Sequence, residues 1–261
     1  MARAAGNQLP ELLAPAGDAT CLRAAIKAGA DAVYFGVDAL NMRAAAQNFG
    51  SADIAGVAAQ CHAAGVRCYL TLNTIVFSHE ESLVRSILSA ALGHVDAVIC
   101  WDPSVIALCR ELGHVIHVST QASVANVAAA RFYRDLGAER IVPARECTLE
   151  EVCRIRAETG IEIEAFVHGA MCVNLSGRCF LSQDIFNKSG NRGACLQPCR
   201  REYAITELEE GEQLVVGSGY VLSAKDLCTI PFLDVLIEAG LDAFKIEGRN
   251  RNPEYVDTVV R

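Results

Sequence analysis

Four closely spaced cysteines are the residues of this chain best suited to chemistry. Cys172, Cys179, Cys195 and Cys199 follow the pattern C-x6-C-x15-C-x3-C and fall within 28 residues. The residues between them are rich in Gly, Asn, Ser and Arg, which is not the composition of an apolar core segment. Four thiols at this density predict a metal or iron–sulfur site.

Three interpretations of the four thiols are possible. Four thiolates satisfy a [4Fe–4S] cluster, and zinc also accepts an all-thiolate set. Zinc ribbons usually use two close cysteine pairs, and only Cys195 and Cys199 have that spacing, so the pattern favours iron–sulfur. Ordinary free thiols are the third possibility. Cys228 is a spare thiol that could replace one ligand, although its apolar neighbours suggest a small buried side chain. The other seven cysteines lie in apolar patterns and are predicted to be core.

Short apolar strands alternate with amphipathic helices along the chain, which predicts an α/β protein with a parallel sheet covered by helices. Eight strands are predicted, at residues 11–14, 32–36, 67–73, 96–101, 115–120, 140–144, 162–168 and 242–247. Eight units indicate a TIM-like (β/α)8 barrel. A doubly wound open sheet is the alternative, but no GxGxxG follows any strand. Residues 1–261 are predicted to form one domain, in which an insertion at 169–220 carries the cysteines and a hairpin at 203–216.

Polar side chains follow the predicted strands at the end where such barrels keep their reactive groups. They are Asn73, Asp102, Gln121, Arg145, His168, Glu247 and Arg249. Strand alternation puts Lys245, Glu247 and Arg249 on one face, directed into the barrel. It likewise puts Glu164, Phe166 and His168 on a shared face. Buried charges need partners, so these residues predict either a ligand pocket or an internal salt-bridge network.

Composition limits the class of protein. The chain has 261 residues, of which 52% are hydrophobic and 21% charged, as in one large globular domain. No apolar run approaches the ~20 residues of a membrane span, and the first residues do not resemble a signal peptide, so a cytoplasmic location is predicted. The net charge of −8 is opposite in sign to the net charge that free nucleic-acid binders usually carry. Arg178, Arg192, Arg200 and Arg201 nevertheless make the cysteine stretch locally basic, unless nearby carboxylates pair with them.

Several segments closely resemble the peptidase U-32 (collagenase-like) family. They occur in the family's order and are ELLAPAGD, ADAVYFGVDALNMRA, FVHGAMCVNLSGRCFLS, NRGACLQPCR, LSAKDL and FKIEGR. The resemblance implies a (β/α)8-like protein, described historically as a peptidase. Some branches are O2-independent hydroxylation proteins that carry a [4Fe–4S] cluster, with prephenate implicated as oxygen source. These branches act on tRNA, on rRNA or on quinone precursors.

The resemblance also bears on the ligands. In the RNA-modifying members the cluster cysteines match Cys172, Cys179, Cys195 and Cys199. In one quinone-pathway branch a later cysteine replaces the last of these. This chain has both Cys199 and Cys228, which favours the RNA-modifying type. Typical RNA-modifying members carry extra C-terminal domains, so this chain is expected to be either a short protein or part of a longer one.

Three functions follow from these observations. The first is an iron–sulfur-dependent hydroxylase of an RNA base or a quinone-precursor ring. In it, Asn73, Gln121, Arg145 and Arg249 bind substrate or an anionic prephenate-like co-substrate. His168, Glu247 and Lys245 are its candidate catalytic groups, with His168 the candidate for proton transfer. The second is a peptidase, although the chain has neither HExxH nor GxSxG. The third is a non-catalytic iron–sulfur subunit of a heteromeric hydroxylase.

Overall fold

Eight parallel strands close into a barrel in the computed structural model, which describes residues 9–43, 46–206, 209 and 215–261. The barrel strands are β1 (Glu11–Ala16), β2 (Ala32–Gly36), β3 (Arg67–Leu72), β4 (Ala97–Cys100), β5 (Ile116–Val118), β6 (Ala138–Ile141), β7 (Glu162–Gly169) and β11 (Ala243–Ile246). Between β7 and β11 lie β8 (Tyr203–Thr206), β9 (Val215–Gly219) and β10 (Leu227–Cys228). The barrel closes through the pairs β6–β7, β7–β11 and β11–β1. The TIM-like fold class predicted from the sequence is therefore confirmed.

Nine helices lie in the described part of the chain, mostly between barrel strands. They are α1 (Ala19–Ala28), α2 (Ile54–Ala63), α3 (Glu81–Ala91), α4 (Pro103–Leu112), α5 (Val127–Asp135), α6 (Leu149–Thr159), α7 (Leu181–Phe186), α8 (Leu233–Glu238) and α9 (Pro253–Val260). Side-chain caps fix several starts: Asp18, Asp102 and Thr148 each accept a backbone N–H from the first turn of α1, α4 and α6. None of the helices described is both long enough and apolar enough to cross a bilayer.

The strands are almost continuously apolar because both of their faces are buried. On β2, Val33 and Phe35 pack against the helix layer, whereas Tyr34 faces the barrel interior. Leu13, Tyr69 and other residues of the consecutive strands β1 to β4 share that interior layer. Two buried faces remove the polar alternation that an exposed sheet would show.

A repeated aspartate secures the starts of three strands. Asp31 accepts the backbone N–H of Leu12 in β1, and Asp96 accepts that of Cys68 in β3. Asp242 accepts that of Ile163 in β7. Each aspartate precedes the next strand round the barrel, so it satisfies a donor at the amino-terminal rim that the sheet leaves free.

The predicted strands differ from the observed ones mainly at their ends. β6 ends at Ile141, because Pro143 has no N–H to continue the ladder. β5 ends at Val118, and a 3₁₀ turn follows at Thr120–Ala122. The predicted hairpin is present as the antiparallel pair β8–β9, but its tip lies mostly outside the described residues.

Candidate functional site

The carboxyl end of the barrel contains a cavity of about 130 Å³, covered by the stretch after β7. Residues at or after the ends of β2, β3, β5, β6, β7 and β11 line it. All four cysteines, Cys172, Cys179, Cys195 and Cys199, are among its lining residues. The cysteine stretch and the strand ends thus form one site.

The cysteine stretch, residues 170–201, is held by turns and side-chain hydrogen bonds. It contains α7 and two 3₁₀ turns, Gly190–Arg192 and Pro198–Arg200. Gly193 adopts a φ of 84°, and a Cβ there would lie 2.1 Å from the carbonyl oxygen of Asn41. This contact requires glycine, and it fixes the stretch against the loop after β2.

Polar groups of the same stretch also hold two of the cysteines. Asn191 Oδ1 accepts the backbone N–H of Cys179 at 2.8 Å. The N–H of Gln197 donates to Cys195 Sγ at 3.4 Å. Hydrogen bonds to sulfur of this kind stabilise thiolates that bind iron.

The arrangement of the thiols suits a group larger than a single ion. All four thiols line one cavity. Burial raises the pKa of Cys199, Arg200 opposes the rise, and the other three thiols add to it. No three of these thiols, however, converge within 4.8 Å of one another. Zinc–sulfur bonds of about 2.3 Å place tetrahedral thiolates roughly 3.8 Å apart. Four thiols on the wall of one cavity are a donor set that fits an iron–sulfur cluster.

Cys228, the alternative fourth ligand, lies elsewhere. It is exposed on β10, opposite His168 of β7, and it is not among the residues that line the cavity. The prediction that it is a buried small side chain is wrong, because β10 pairs at the edge of β7 and leaves the thiol in solvent.

Within the described residues, three metal-ligating atoms converge within 4.8 Å at one place, formed by His62, Cys68 and Asp96. This group lies at the opposite, amino-terminal rim of the barrel. Asp96 there accepts the N–H of Cys68 at 2.7 Å and pairs with His62 at 2.9 Å. Because Asp31 and Asp242 cap strands in the same way, this contact set is explained by strand capping.

The cavity wall is strongly cationic. Five of its lining residues are cations, and Glu247 is the single acid among them. The five are Arg43, Arg145, Arg200, Lys245 and Arg249. Such an excess of positive charge in a partly closed site favours an anionic ligand.

Two of these cations form no direct ion pair with a described carboxylate. Arg249 is buried and donates to Asn41 Oδ1 at 3.1 Å and Thr71 Oγ1 at 2.9 Å. Burial lowers its pKa to about 10. Arg145 donates to the carbonyl of Ala170 and stacks 4.1 Å over the ring of Phe166. No described carboxylate lies within 4.0 Å of either guanidinium. Neither guanidinium is neutralised by a direct ion pair within the described residues, so both are suited to an anionic ligand.

Glu247 pairs directly with one of the guanidinium groups. Arg43 donates to its Oε1 at 2.8 Å. Burial would raise the pKa of Glu247, but Arg43, Arg145 and Arg249 outweigh that effect and hold the pKa below its ordinary value. A carboxylate in this setting stays ionised and is a weak proton acceptor, so its geometry favours positioning of the arginines over proton transfer.

Lys245 belongs to an internal ion-pair network. Its Nζ lies 2.6 Å from Glu164 Oε1, and its charge lies 4.5 Å from the centre of the Tyr34 ring. Glu164 also contacts Arg140, which pairs with Glu11 at 2.6 Å. The salt-bridge alternative thus describes Lys245 well, even though the residue also lines the cavity floor.

Asn73 and Gln121 lie where the strand-end rule predicted, and both line the cavity. Asn73 Oδ1 accepts the backbone N–H of Met42 at 3.0 Å. Gln121 Oε1 accepts a hydrogen bond from the Ser119 hydroxyl. The Asn73 amide nitrogen lies 3.5 Å from the Ser119 hydroxyl, so the three side chains form one polar group on the cavity wall. Asp102, by contrast, caps α4 and is absent from the cavity wall.

His168 lies outside the cavity wall. The register of β7 and β11 shifts between Lys245 and Ile246, so Phe166 pairs with Lys245 while His168 pairs with Ile246. The His168 ring packs 5.9 Å from that of Tyr255 in α9. The predicted shared face of Phe166 and His168 is interrupted by this irregularity, and the proton-transfer role gains no support from position.

The four arginines of the cysteine stretch divide into two pairs. Arg192 pairs with Glu80, and Arg200 lies 3.6 Å from Asp226. Arg178 and Arg201 have no carboxylate within 4.0 Å in the described structure and lie over the rings of Trp101 and Phe186. Carboxylate pairing therefore accounts for half of the local basic charge.

Sequence reasoning missed the loop after β2. Arg43 and Met42 line the cavity from this loop, and Tyr34 lines it from within β2. The strand-end rule would have found Arg43 had it been applied to every strand, because β2 ends at Gly36 and this loop follows.

Comparisons of this chain with known proteins agree on one family. The family model for peptidase family U32 matches residues 17–261. The chain is 42% identical to a collagenase of Porphyromonas gingivalis over 96% of this chain and 64% of that protein. It is 38% identical to tRNA hydroxylation protein P1 of Bacillus subtilis over 96% and 61% of the two chains. It is 39% identical to the 23S rRNA 5-hydroxycytidine C2501 synthase of Escherichia coli over 95% and 38%.

A solved structure agrees on the fold. The U32 peptidase Mk0906 superposes with a TM-score of 0.56 at 17% identity, covering 95% of this chain and 96% of that one. The chain spans about three fifths of the length of the curated relatives it matches first.

Proposed function

The chain belongs to peptidase family U32, and from this premise and its cavity we propose that it hydroxylates an RNA base. In this proposal the four cysteines hold a [4Fe–4S] cluster, and the cations beside them hold a small anionic co-substrate, such as prephenate, that supplies the oxygen. Relatives named as tRNA hydroxylation proteins and as an rRNA 5-hydroxycytidine synthase support the RNA substrate. The reaction is placed in the cytoplasm, where tRNA and ribosomes are found.

One observation carries the proposal. Four thiols and two guanidinium groups that form no direct ion pair with a described carboxylate line a single cavity at the carboxyl end of the barrel. A purely structural metal site would not need unpaired cations beside it, and a purely electrostatic pocket would not need four thiols. Together they suit a redox group acting next to a bound anion.

The chain's own residues divide the work in this proposal. Arg145 and Arg249 bind the carboxylates of the co-substrate, and Glu247 fixes Arg43 beside them through its 2.8 Å ion pair. Asn73 and Gln121 supply amide groups that orient the bound molecules. The covering stretch contributes part of the cavity wall. The cluster, when bound, would supply electron transfer or activation of the oxygen donor.

The rim of the cavity suits RNA better than the whole chain does. Residues 170–201 contain five basic residues and one acidic residue, within a chain of net charge −8. A flipped or single-stranded base could enter here, because enzymes that modify a base take it out of the stack. A quinone-precursor ring is the alternative substrate and lacks the phosphates that this basic rim would bind.

Peptidase activity, the alternative suggested by the collagenase relatives, has little support in the geometry. Among the described residues that line the cavity none is histidine, so the thiols there have no general base of the cysteine-protease kind. A thiolate bound to iron is also unavailable as a nucleophile.

Anaerobic purification tests the cofactor. Wild type should contain about four irons and four acid-labile sulfides per chain and show a visible absorption band, whereas Cys179→Ala should lose both. A colourless wild-type protein with one zinc per chain would contradict the proposal. Peptide hydrolysis retained by Cys179→Ala would support the peptidase.

Mass spectrometry of RNA tests the substrate. Nucleosides from tRNA and rRNA of a deletion strain should lack one hydroxylated base, and wild-type protein supplied in the strain should restore it. Arg249→Met supplied in the same way should fail to restore it. An unchanged set of RNA nucleosides together with an altered quinone pool would move the proposal to the quinone ring.

A further inference from the structure

A second cavity lies outside the barrel, between its wall and the helix layer. This side groove measures about 250 Å³ and is bounded by Leu149 and Val152 of α6, Ala165 of β7 and Leu236 of α8. Of the two helices that bound it, α6 has eleven residues and α8 has six. No function described so far uses it.

Two buried polar groups in its lining have no partner. Thr229 is 4% exposed, and its hydroxyl makes no hydrogen bond in the described structure. Arg145 uses Nη1 for the carbonyl of Ala170 and the sulfur of Met171, but its Nε–H is buried and unpaired. Polar groups that folding buries are nearly always satisfied, so two orphans in one groove indicate a missing ligand.

The lining also defines the ligand's charge. Arg145 is the only charged residue among the described residues of the groove, and no acidic side chain lines it. An Nε–H can only donate, and the hydroxyl can donate or accept, so the ligand must present an acceptor. A carboxylate complements both the cation and the hydroxyl.

The walls and volume define the ligand's body. Most of the lining is aliphatic or aromatic. An apolar cavity of about 150 Å³ binds benzene, so a groove of this size accommodates roughly one ring with a short chain. We propose that the side groove binds a small apolar monocarboxylic acid, with its carboxylate on Arg145 and Thr229 and its ring or alkyl body between α6 and α8.

The position of Arg145 gives this site a consequence. Arg145 lines both the side groove and the cysteine cavity, and Phe166 and Met171 do so as well. An acid in the groove engages a guanidinium that also faces the cavity. Occupancy of the two sites is therefore expected to be linked, with each ligand changing the affinity of the other by the same factor.

Isothermal titration calorimetry with 3-phenylpropionate tests the site in the whole chain. Wild type should bind one equivalent. Thr229→Val, which keeps the shape and removes the hydroxyl, should weaken binding roughly tenfold. Leu236→Trp, which fills the groove, should abolish it. Acetate and 3-phenylpropan-1-ol should each bind at least ten times more weakly, because the first lacks the apolar body and the second the charge.

Matched controls separate the groove from other sites. Thr258→Val on α9 and Leu83→Trp on α3 make the same changes at exposed positions away from the groove and should bind like wild type. Thermal unfolding checks that each variant is folded, and Thr229→Val decides the matter if Leu236→Trp is not. Binding unaffected by either groove variant, equal binding of the alcohol, or no binding by wild type would overturn the proposal. None of these results depends on bound iron or on RNA.

Discussion

At the scale of single residues, some charged side chains of the cavity stabilise the fold through ion pairs, and others are free of such pairs among the described residues. Lys245 is paired with Glu164, which is completely buried, whereas Arg249 is buried without a carboxylate partner. The Lys245–Glu164 ion pair contributes to folding stability, whereas the Arg249 guanidinium is available to an anionic ligand. The two residues lie four apart on one strand and its extension, so they offer a matched comparison.

Lys245→Met should therefore destabilise the protein far more than Arg249→Met. Loss of the ammonium leaves Glu164 with only the longer 3.4 Å contact to Arg140, and breaking a buried pair costs about 3 kcal/mol. Arg249→Met loses two neutral hydrogen-bond partners and should cost about 1 kcal/mol or less. Urea unfolding measures both. Equal losses would show that Arg249 is as structural as Lys245.

The fourth ligand of the proposed cluster is also a question for single residues. Cys199 lines the cavity, and the other three thiols contribute to its raised pKa. Cys228, by contrast, is exposed on β10. Cys199→Ser is expected to reduce bound iron after anaerobic reconstitution to less than half of the wild-type amount. Cys228→Ser should leave it unchanged. The reverse outcome would assign the fourth position to Cys228.

His117 gives the barrel a pH-dependent stability. Burial, with help from Arg140, Lys245 and Arg67, holds its pKa well below the usual 6.5. Below pH 6.5 the unfolded chain binds a proton that the folded chain does not, so the free energy of unfolding falls as pH falls. The slope is up to about 1.4 kcal/mol per pH unit. The loss begins near pH 6.5 and continues towards the lower pKa of the folded state.

Unfolding in urea at pH 7.5, 6.5 and 5.5 measures this effect. His117→Asn should remove the part of the slope that His117 supplies. His79→Asn, at an exposed position beside Phe77, is the matched control and should retain it. A slope that is the same in wild type and His117→Asn would show that other groups cause the acid sensitivity.

At the scale of elements, the cysteine stretch depends on its contact with the loop after β2. Gly193 and Gly65 have similar positive φ angles, 84° and 72°, so alanine at either imposes comparable backbone strain. Only at Gly193 would the added Cβ meet another segment, at the carbonyl of Asn41. Comparing Gly193→Ala with Gly65→Ala therefore separates the effect of backbone strain from the effect of displacing the cysteine stretch.

Gly193→Ala should lower the iron bound per chain at least twofold after reconstitution, because Cys195 lies two residues away and must move with the stretch. Gly65→Ala should bind iron like wild type while unfolding at a slightly lower temperature. Iron analysis and thermal unfolding provide both measurements. If both variants bind iron equally, the contact with Asn41 is not needed to form the site.

At the scale of the whole molecule, charge is distributed unevenly. The chain carries a net charge of −8, yet the stretch that covers the cavity is basic. Lys188 and Arg201 are exposed there, and Arg201 stacks on Phe186. An RNA would be attracted to one end of the barrel and repelled by most of the remaining surface.

Binding of an unmodified tRNA transcript should therefore weaken steeply with salt. The double variant Lys188→Ala, Arg201→Ala should reduce the slope of log K against log salt by roughly one to two. The double variant Arg131→Ala, Arg154→Ala removes two exposed cations of the helix layer, each paired with glutamate, and is the control. Fluorescence anisotropy gives the slopes. Equal slopes for both variants would place the RNA elsewhere.

The sequence alone determined the barrel, because both faces of its strands are buried and leave an apolar pattern with helical segments between them. It also singled out the four cysteines, and five residues that the strand-end rule named line the cavity: Asn73, Gln121, Arg145, Glu247 and Arg249. These features follow from local composition and from the rule that parallel strands present their carboxyl ends at one rim.

Only the tertiary structure decided which of the polar and charged side chains at the cavity pair with one another. The register shift between β7 and β11 moves His168 towards Tyr255, and a single irregularity of this kind has no signature in the strand's sequence. Lys245 meets Glu164 across two strands 81 residues apart in sequence, whereas Arg145 and Arg249 meet no carboxylate. Pairing between buried charges depends on distances across the closed barrel, and closure is a property of the whole chain.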